Sequence, residues 1–168
     1  MVTMRVAAVL LAVFVPVQAV PDFSGTWTLD PRQSTVTGGG TGGGRGGGCG
    51  AGGGVGLGPP PERLAITQDA ESLIVEERGD RGVVRVRYGL TGQSRVNQVS
   101  IGGRGQAVGA AFRSKWDGSR LVTTIDVTTG PGLQLREVRY LRPDGAMVVE
   151  TIIAGRGGRS AVYTRTPQ

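Results

Sequence analysis

Beyond residue 62 the chain alternates apolar and polar positions in short runs separated by turn residues, the signature of strands with one face buried. Arg63-Leu64-Ala65-Ile66-Thr67 puts Leu64 and Ile66 on one face, and the turn Asp69-Ala70-Glu71-Ser72 leads into Leu73-Ile74-Val75-Glu76-Glu77. In Val83 to Tyr88 the residues Val84, Val86 and Tyr88 oppose Arg85 and Arg87. Phe112, Ser114 and Trp116 likewise oppose Arg113 and Lys115. Asp117-Gly118 then marks a two-residue hairpin, since both residues tolerate positive φ. The returning run Leu121 to Val127 is rich in β-branched residues. Further strands are predicted over Leu133–Leu141, Met147–Ile153 and Ser160–Arg165.

Two stretches break the alternation. Val96, Val99 and Ile101 are out of step, which predicts one short, bulged strand followed by a loop through Gly102-Gly103-Arg104-Gly105. Between Leu135 and Val138 the apolar phase slips, and either a bulge or a partly polar interior accounts for it. No segment has a helical period. The expected fold class is all-β: about nine strands joined by short turns, within a range of about 8–10. Such a meander hides its edges by closing into an antiparallel up-and-down β-barrel.

The ends of the chain read differently. Residues 1–19 hold Arg5, the apolar run Val6 to Val15, and Val17-Gln18-Ala19, the layout of a secretory signal peptide cut after Ala19. The run is short for a membrane span, and an uncleaved anchor is the alternative. Residues 20–35 hold the first barrel strand, 36–61 a Gly/Pro-rich insertion expected to stay disordered, and 62–168 the rest of the same domain. The expected location is the periplasm or the exterior of a bacterial cell, with no stable membrane anchor.

Composition then removes whole classes of chemistry. The 168 residues include no histidine and one cysteine, Cys49, so Ser-His-Asp and Cys-His catalysis, nearly all zinc and copper sites, and an intrachain disulfide are excluded. The formal charge of +6, which falls by one if Arg5 leaves with the leader, would suit acidic lipid, polysaccharide or nucleic acid. The arginines alternate along strands instead of clustering, however, so no nucleic acid partner is expected. Gly44-Arg45-Gly46-Gly47 has the form of an RGG element, but one arginine in an exported chain is a thin basis for RNA binding.

The opening run Asp22-Phe23-Ser24-Gly25-Thr26-Trp27-Thr28-Leu29-Asp30-Pro31-Arg32-Gln33-Ser34 resembles the first-strand signature of lipocalin-like (lipocalin/calycin-type) barrels, and in its wider pattern that of secreted bacterial lipocalin-like domains of mostly unassigned function. The resemblance implies that Gly25-Thr26-Trp27 starts the first strand, that Trp27 closes one barrel end, and that Arg165 from the last strand packs across it. The helix near the last strand and the Thr-Asp-Tyr loop motif of lipocalins proper are not found here.

A barrel of about eight strands holds its own side chains or one small ligand. The expected lining is Tyr88, Phe112, Trp116 and Ile125, with Ser114 and Thr123 as polar contacts; the alternative is that these residues simply fill the barrel. No catalytic residue, metal site or cofactor is expected. The one carboxylate pair that hints at catalysis is Glu137 and Glu150, near Arg139, and outward cross-strand pairing explains it equally well. The expected function is a secreted, non-enzymatic, monomeric barrel binding a small apolar ligand. The alternatives are a filled barrel that contacts partners through its Gly-rich loop, with a Cys49-linked dimer as one form, and a carboxylate-dependent enzyme.

Overall fold

The computed structural model describes residues 20–37, 60–79, 82–100, 107–127, 132–154 and 157–167. Residues 1–19, the glycine tract with Cys49, and residues 80–81, 101–106, 128–131, 155–156 and 168 lie outside the described residues. The strands are β1 (Gly25–Leu29), β2 (Thr35–Thr37), β3 (Arg63–Gln68), β4 (Ser72–Gly79), β5 (Gly82–Gly89), β6 (Ser94–Ser100), β7 (Ala107–Asp117), β8 (Arg120–Val127), β9 (Leu133–Leu141), β10 (Met147–Ile153) and β11 (Gly157–Arg165). There is no helix among the described residues.

Ten strands form one antiparallel up-and-down sheet in the order β5-β4-β3-β1-β11-β10-β9-β8-β7-β6. The meander curls until its first and last strands meet, with Trp27 opposite Arg165 and Leu29 opposite Tyr163. β2 lies off this path and also pairs with β11, Thr35 opposite Ser160.

Between β1 and β2 the chain steps away from β11 and returns, and the Asp30-to-Ser34 motif makes the step. The Asp30 carboxylate accepts from the Arg32 N–H at 2.9 Å and from Gln33 Nε2 at 2.8 Å. Ser34 Oγ donates to the Asp30 carbonyl at 2.7 Å and accepts the Val162 N–H at 3.0 Å. The interrupted ladder thus keeps its hydrogen bonds through two side chains.

The two irregular stretches have clear outcomes. β9 keeps unbroken register with β8 from Leu133 to Arg139 and with β10 from Leu135 to Leu141, so there is no bulge, and the slipped phase reflects a partly polar interior. β6 is also regular, but its inward position between Arg95 and Val99 is the polar Asn97, while Val96 points outward and is 74% exposed.

Asn97 has a specific task at the seam where β5 and β6, the two ends of the sheet, face each other without a ladder. Its Oδ1 accepts the Arg87 N–H and its Nδ2 donates to the Arg87 carbonyl, both at 3.0 Å. One side-chain amide thereby replaces a backbone bridge and brings the barrel close to full closure.

One end is sealed by the opening motif. Phe23 stacks on Trp116 with centroids 6.0 Å apart and rings 6° from parallel, and Trp27 Nε1 donates to the Phe23 carbonyl at 2.8 Å. Gln68 accepts from the Phe23 N–H and donates to the Pro21 carbonyl, tying the entering chain to β3. The turns at 69–71, 90–93, 117–119 and 142–146 belong to this end.

Removing the Asn97 amide leaves two seam groups of Arg87 without a protein partner. Asn97→Ala is expected to lower stability by about 1 kcal/mol. It should also raise amide hydrogen exchange in β5 and β6 while β8 and β9 stay protected, as read by exchange mass spectrometry; uniform exchange across all four strands would remove the seam from the account.

The barrel interior as candidate functional site

Because strand side chains alternate with a period of two, the register fixes which residues meet inside. Tyr88, Phe112, Ser114, Thr123 and Ile125 all face inward and are buried. Trp116 sits at the sealed end, partly buried against Phe23. Tyr88 meets Phe112 edge-to-face at 5.4 Å between centroids. The hydroxyls of Ser114 and Thr123 share a hydrogen bond of 2.9 Å, so each already has a partner. Gly25, at φ 132°, admits the chain into β1 in a conformation side chains disfavour. Arg165 lies over the Trp27 ring, 4.9 Å from its centroid.

The interior also contains a polar belt that the strand-by-strand reading misses. Arg159 on β11 is opposite Thr151 on β10, Thr151 opposite Glu137 on β9, Glu137 opposite Thr123 on β8, and Thr123 opposite Ser114 on β7. Five neighbouring strands thus each contribute one polar residue to a single lateral row. Next to it on β9, Arg139 is 3% exposed. Its Nη2 donates to Glu137 Oε1 at 2.9 Å. The same nitrogen lies 3.5 Å from the hydroxyl of Tyr88, and the guanidinium stands 5.0 Å from the Tyr88 ring centroid. As β5 and β9 are not neighbours in the sheet, this group spans the inside of the barrel.

Glu150 does not belong to the site, which corrects the expected Glu137–Glu150 pair. Glu150 is opposite Val138 while Glu137 is opposite Thr151, so the two carboxylates point to opposite faces. Glu150 accepts from the outer Tyr140 hydroxyl at 3.0 Å. The carboxyl that does act on Glu137 is Glu77, on the inward phase set by Leu73 and Val75. That phase was readable in Leu73 to Glu77, whereas the approach of β4 to β9 across the interior was not.

The buried charges shift one another. Burial, then the Glu137 charge, raises the Glu77 pKa above its ordinary 4.5 against the lowering effect of Arg159 and Arg139. Burial pushes the Tyr88 and Tyr163 hydroxyls well above the ordinary phenol range, so both remain hydrogen-bond donors. Burial works against the charge of Arg139, but the Glu137 carboxylate and Tyr88 outweigh it and its pKa is raised. Two guanidiniums, Arg139 and Arg159, thus share the interior with the carboxyls of Glu137 and Glu77, and burial disfavours the charged form of Glu77. Arg139 Nε and Nη1 and Thr151 Oγ1 are buried without a hydrogen-bond partner among the described residues.

Two clefts are found on the outside. One of about 620 Å³ lies by Asp22, Gln33, Asp144 and Arg165, and one of about 350 Å³ by Ser24, Thr26 and Pro167. Trp27 borders the first but is fully buried beneath Arg165 and presents no open aromatic face. No group of three or more potential metal ligands occurs among the described residues.

The sequence matches no family model and no curated protein. Among solved structures it is similar to human cRBP IV, at 15% identity and a TM-score of 0.57 over 87% of this chain and 99% of that one. It is also similar to a mutant of the REP1-NXSQ fatty acid transporter, at 15% identity and a TM-score of 0.54 over 85% of this chain and 97% of that one. The fold is therefore that of the lipocalin/calycin-type β-barrels.

Two substitutions probe these interactions. Arg165→Ala should lower stability by about 0.5–1 kcal/mol, as expected for a cation–π contact at an exposed guanidinium, measured by urea unfolding followed by tryptophan fluorescence. Glu77 tests the interior charge balance. A carboxyl whose pKa is raised on folding favours the native state most below its unfolded value, and that contribution is lost as pH rises through the folded value. Glu77→Gln should therefore match the parent in melting temperature near pH 4 and exceed it increasingly toward pH 8. A gap that is constant with pH would show that Glu77 titrates as in the unfolded chain.

Proposed function

We propose that the chain is a non-enzymatic carrier that holds a small apolar molecule with an anionic head inside the barrel, the head on Arg139 and Thr151. The unpartnered Nε and Nη1 of Arg139 carry this reading. A buried guanidinium with the nitrogens that carry three of its five N–H donors unpartnered is costly, and an anionic ligand head supplies the missing acceptors. Arg159 on the same row adds a second guanidinium, and the apolar walls accept a hydrocarbon tail. The likeness to a protein titled a fatty acid transporter supports the same ligand class. Residues 1–19 act as an export signal in this reading, and the carrier works in the periplasm or outside the cell. The mature N-terminus recovered from a periplasmic fraction is then Val20.

A second reading has its own support. The mutual bond of Ser114 and Thr123 and the edge contact of Tyr88 with Phe112 fit a barrel filled by its own side chains, acting as an interaction module.

Calorimetric titration with oleate and with oleyl alcohol separates the two. Oleate should bind and the alcohol bind far more weakly. Arg139→Met, combined with Glu137→Gln so that no lone carboxylate stays buried, should weaken oleate by about 10- to 100-fold, the worth of a charge-assisted hydrogen bond or two. Equal binding of acid and alcohol would remove the anionic anchor, and no heat with either leaves the filled barrel.

A further inference from the structure

The interior does not exhaust the charge of the molecule. On the outer face of β7, β8 and β9, the positions that alternate along each strand are brought side by side by the register. Arg113 is opposite Thr124, and Thr124 is opposite Arg136, so two arginines flank one threonine in a single row. Lys115 lies two residues along β7 from Arg113, and Arg120 begins β8. All four cations are exposed. Arg113, Lys115 and Arg136 form no ion pair with the described residues, and Arg120 leans over the Tyr140 ring, 4.9 Å from its centroid. Strands are about 4.8 Å apart and alternate residues about 6.8 Å, so each of these charges lies within about 10 Å of the next, comparable to a Debye length.

Most acidic groups with a described partner lie elsewhere, and the two on this face, Asp117 and Asp126, are outnumbered by its four cations. Asp22 and Asp144 border the cleft at the sealed end, Asp30 is taken up in the β1–β2 step, and Asp69 binds the Glu71 and Ser72 N–H groups in its own turn. Of the acids on β7 and β8, Asp126 accepts from Gln134 and Asp117 sits at the hairpin opposite Arg120. Beside the cationic rows, β6 turns Val96 outward at 74% exposure, next to the seam. The outer face of β7–β9 therefore carries four cations against two acids, with an apolar point at its margin.

We propose that the outer face of β7–β9 is a docking surface for an anionic lipid bilayer, with Arg113, Lys115, Arg120 and Arg136 over the head groups and Val96 at the membrane contact. A broad face with charges spread over a sheet, and no groove to follow a strand of nucleic acid or extended peptide, suits a planar array of negative head groups. Val96 adds a contact that a soluble polyanion would not use. Docking of this kind is reversible and salt-sensitive, and it does not depend on what the interior holds.

Flotation of the full chain with vesicles of phosphatidylcholine alone, or with 30% phosphatidylglycerol, tests it. The readout is the ratio of anionic to neutral partitioning, in which any contribution of the apolar leader is shared by all variants. Each cation near such a surface contributes about fivefold. The triple variant Arg113→Gln, Lys115→Gln, Arg136→Gln should lose on the order of a hundredfold of that ratio, and raised salt should abolish it in the parent. Arg32→Gln, Arg63→Gln, Arg78→Gln, with the same change in net charge on other parts of the surface, should retain most of it. Equal loss in both triple variants would reduce the effect to net charge and overturn the proposal, as would an undiminished ratio in the first. In Val96→Trp, anionic vesicles should shift tryptophan emission to the blue. An unshifted spectrum, or capture by heparin or DNA at salt that releases vesicles, would exclude the bilayer as partner.

Discussion

The pairing of the first strand with the last is the constraint on which the rest depends. Trp27 to Leu29 lie against Tyr163 to Arg165, residues nearly the whole domain apart in sequence. Without that ladder the strands would fall into two sheets, β1-β3-β4-β5 and β6 to β11, each with an apolar face in water and with new exposed edges at β1 and β11. The opening motif serves this pairing at several points. Phe23 and Trp27 fill the sealed end, Arg165 covers Trp27, and Asp30 and Ser34 carry the chain past a gap in the ladder so that β2 rejoins β11. A pairing of such long sequence separation is slow to form and gains nothing until the intervening strands are in place. That gives a reason for concentrating so many side-chain bonds on this stretch.

Closure displaces the edge problem to β5 and β6, the two remaining ends of the sheet. There the molecule uses a side chain in place of a ladder, with Asn97 bonded to both backbone groups of Arg87. The same choice explains the irregular apolar pattern around Val96 and Val99. An inward position was given to an amide because the seam needed a donor and an acceptor more than the core needed another aliphatic group.

Inside the barrel the energetic logic is that of a polar row within apolar walls. A salt bridge between Glu137 and Arg139 out of water is not by itself a source of stability, since desolvation offsets much of its attraction. The proposed anionic head would supply acceptors to the donors of Arg139 that this bridge leaves unpartnered. Outside, the reverse arrangement holds. Cations with full access to water cost little, and the register sets four of them on the outer face of β7–β9.

The alternation of residues by itself determined the strands, the all-β class and the faces. Tyr88, Phe112, Ser114, Thr123 and Ile125 point inward as the period of two requires, because the direction of a side chain along a strand is a local property. The Trp27 and Arg165 contact followed from a resemblance in the opening motif. Only the tertiary structure decided which faces meet and in what register. It separated Glu137 from Glu150 although their strands are neighbours, brought Glu77 into the range of Glu137, aimed Arg139 at Tyr88 across the barrel, and gathered arginines that are scattered in sequence into one outer patch. The reason is physical. Periodicity is set by the backbone of each strand alone, whereas register and closure are set by turns, side-chain clips and packing summed over the whole sheet.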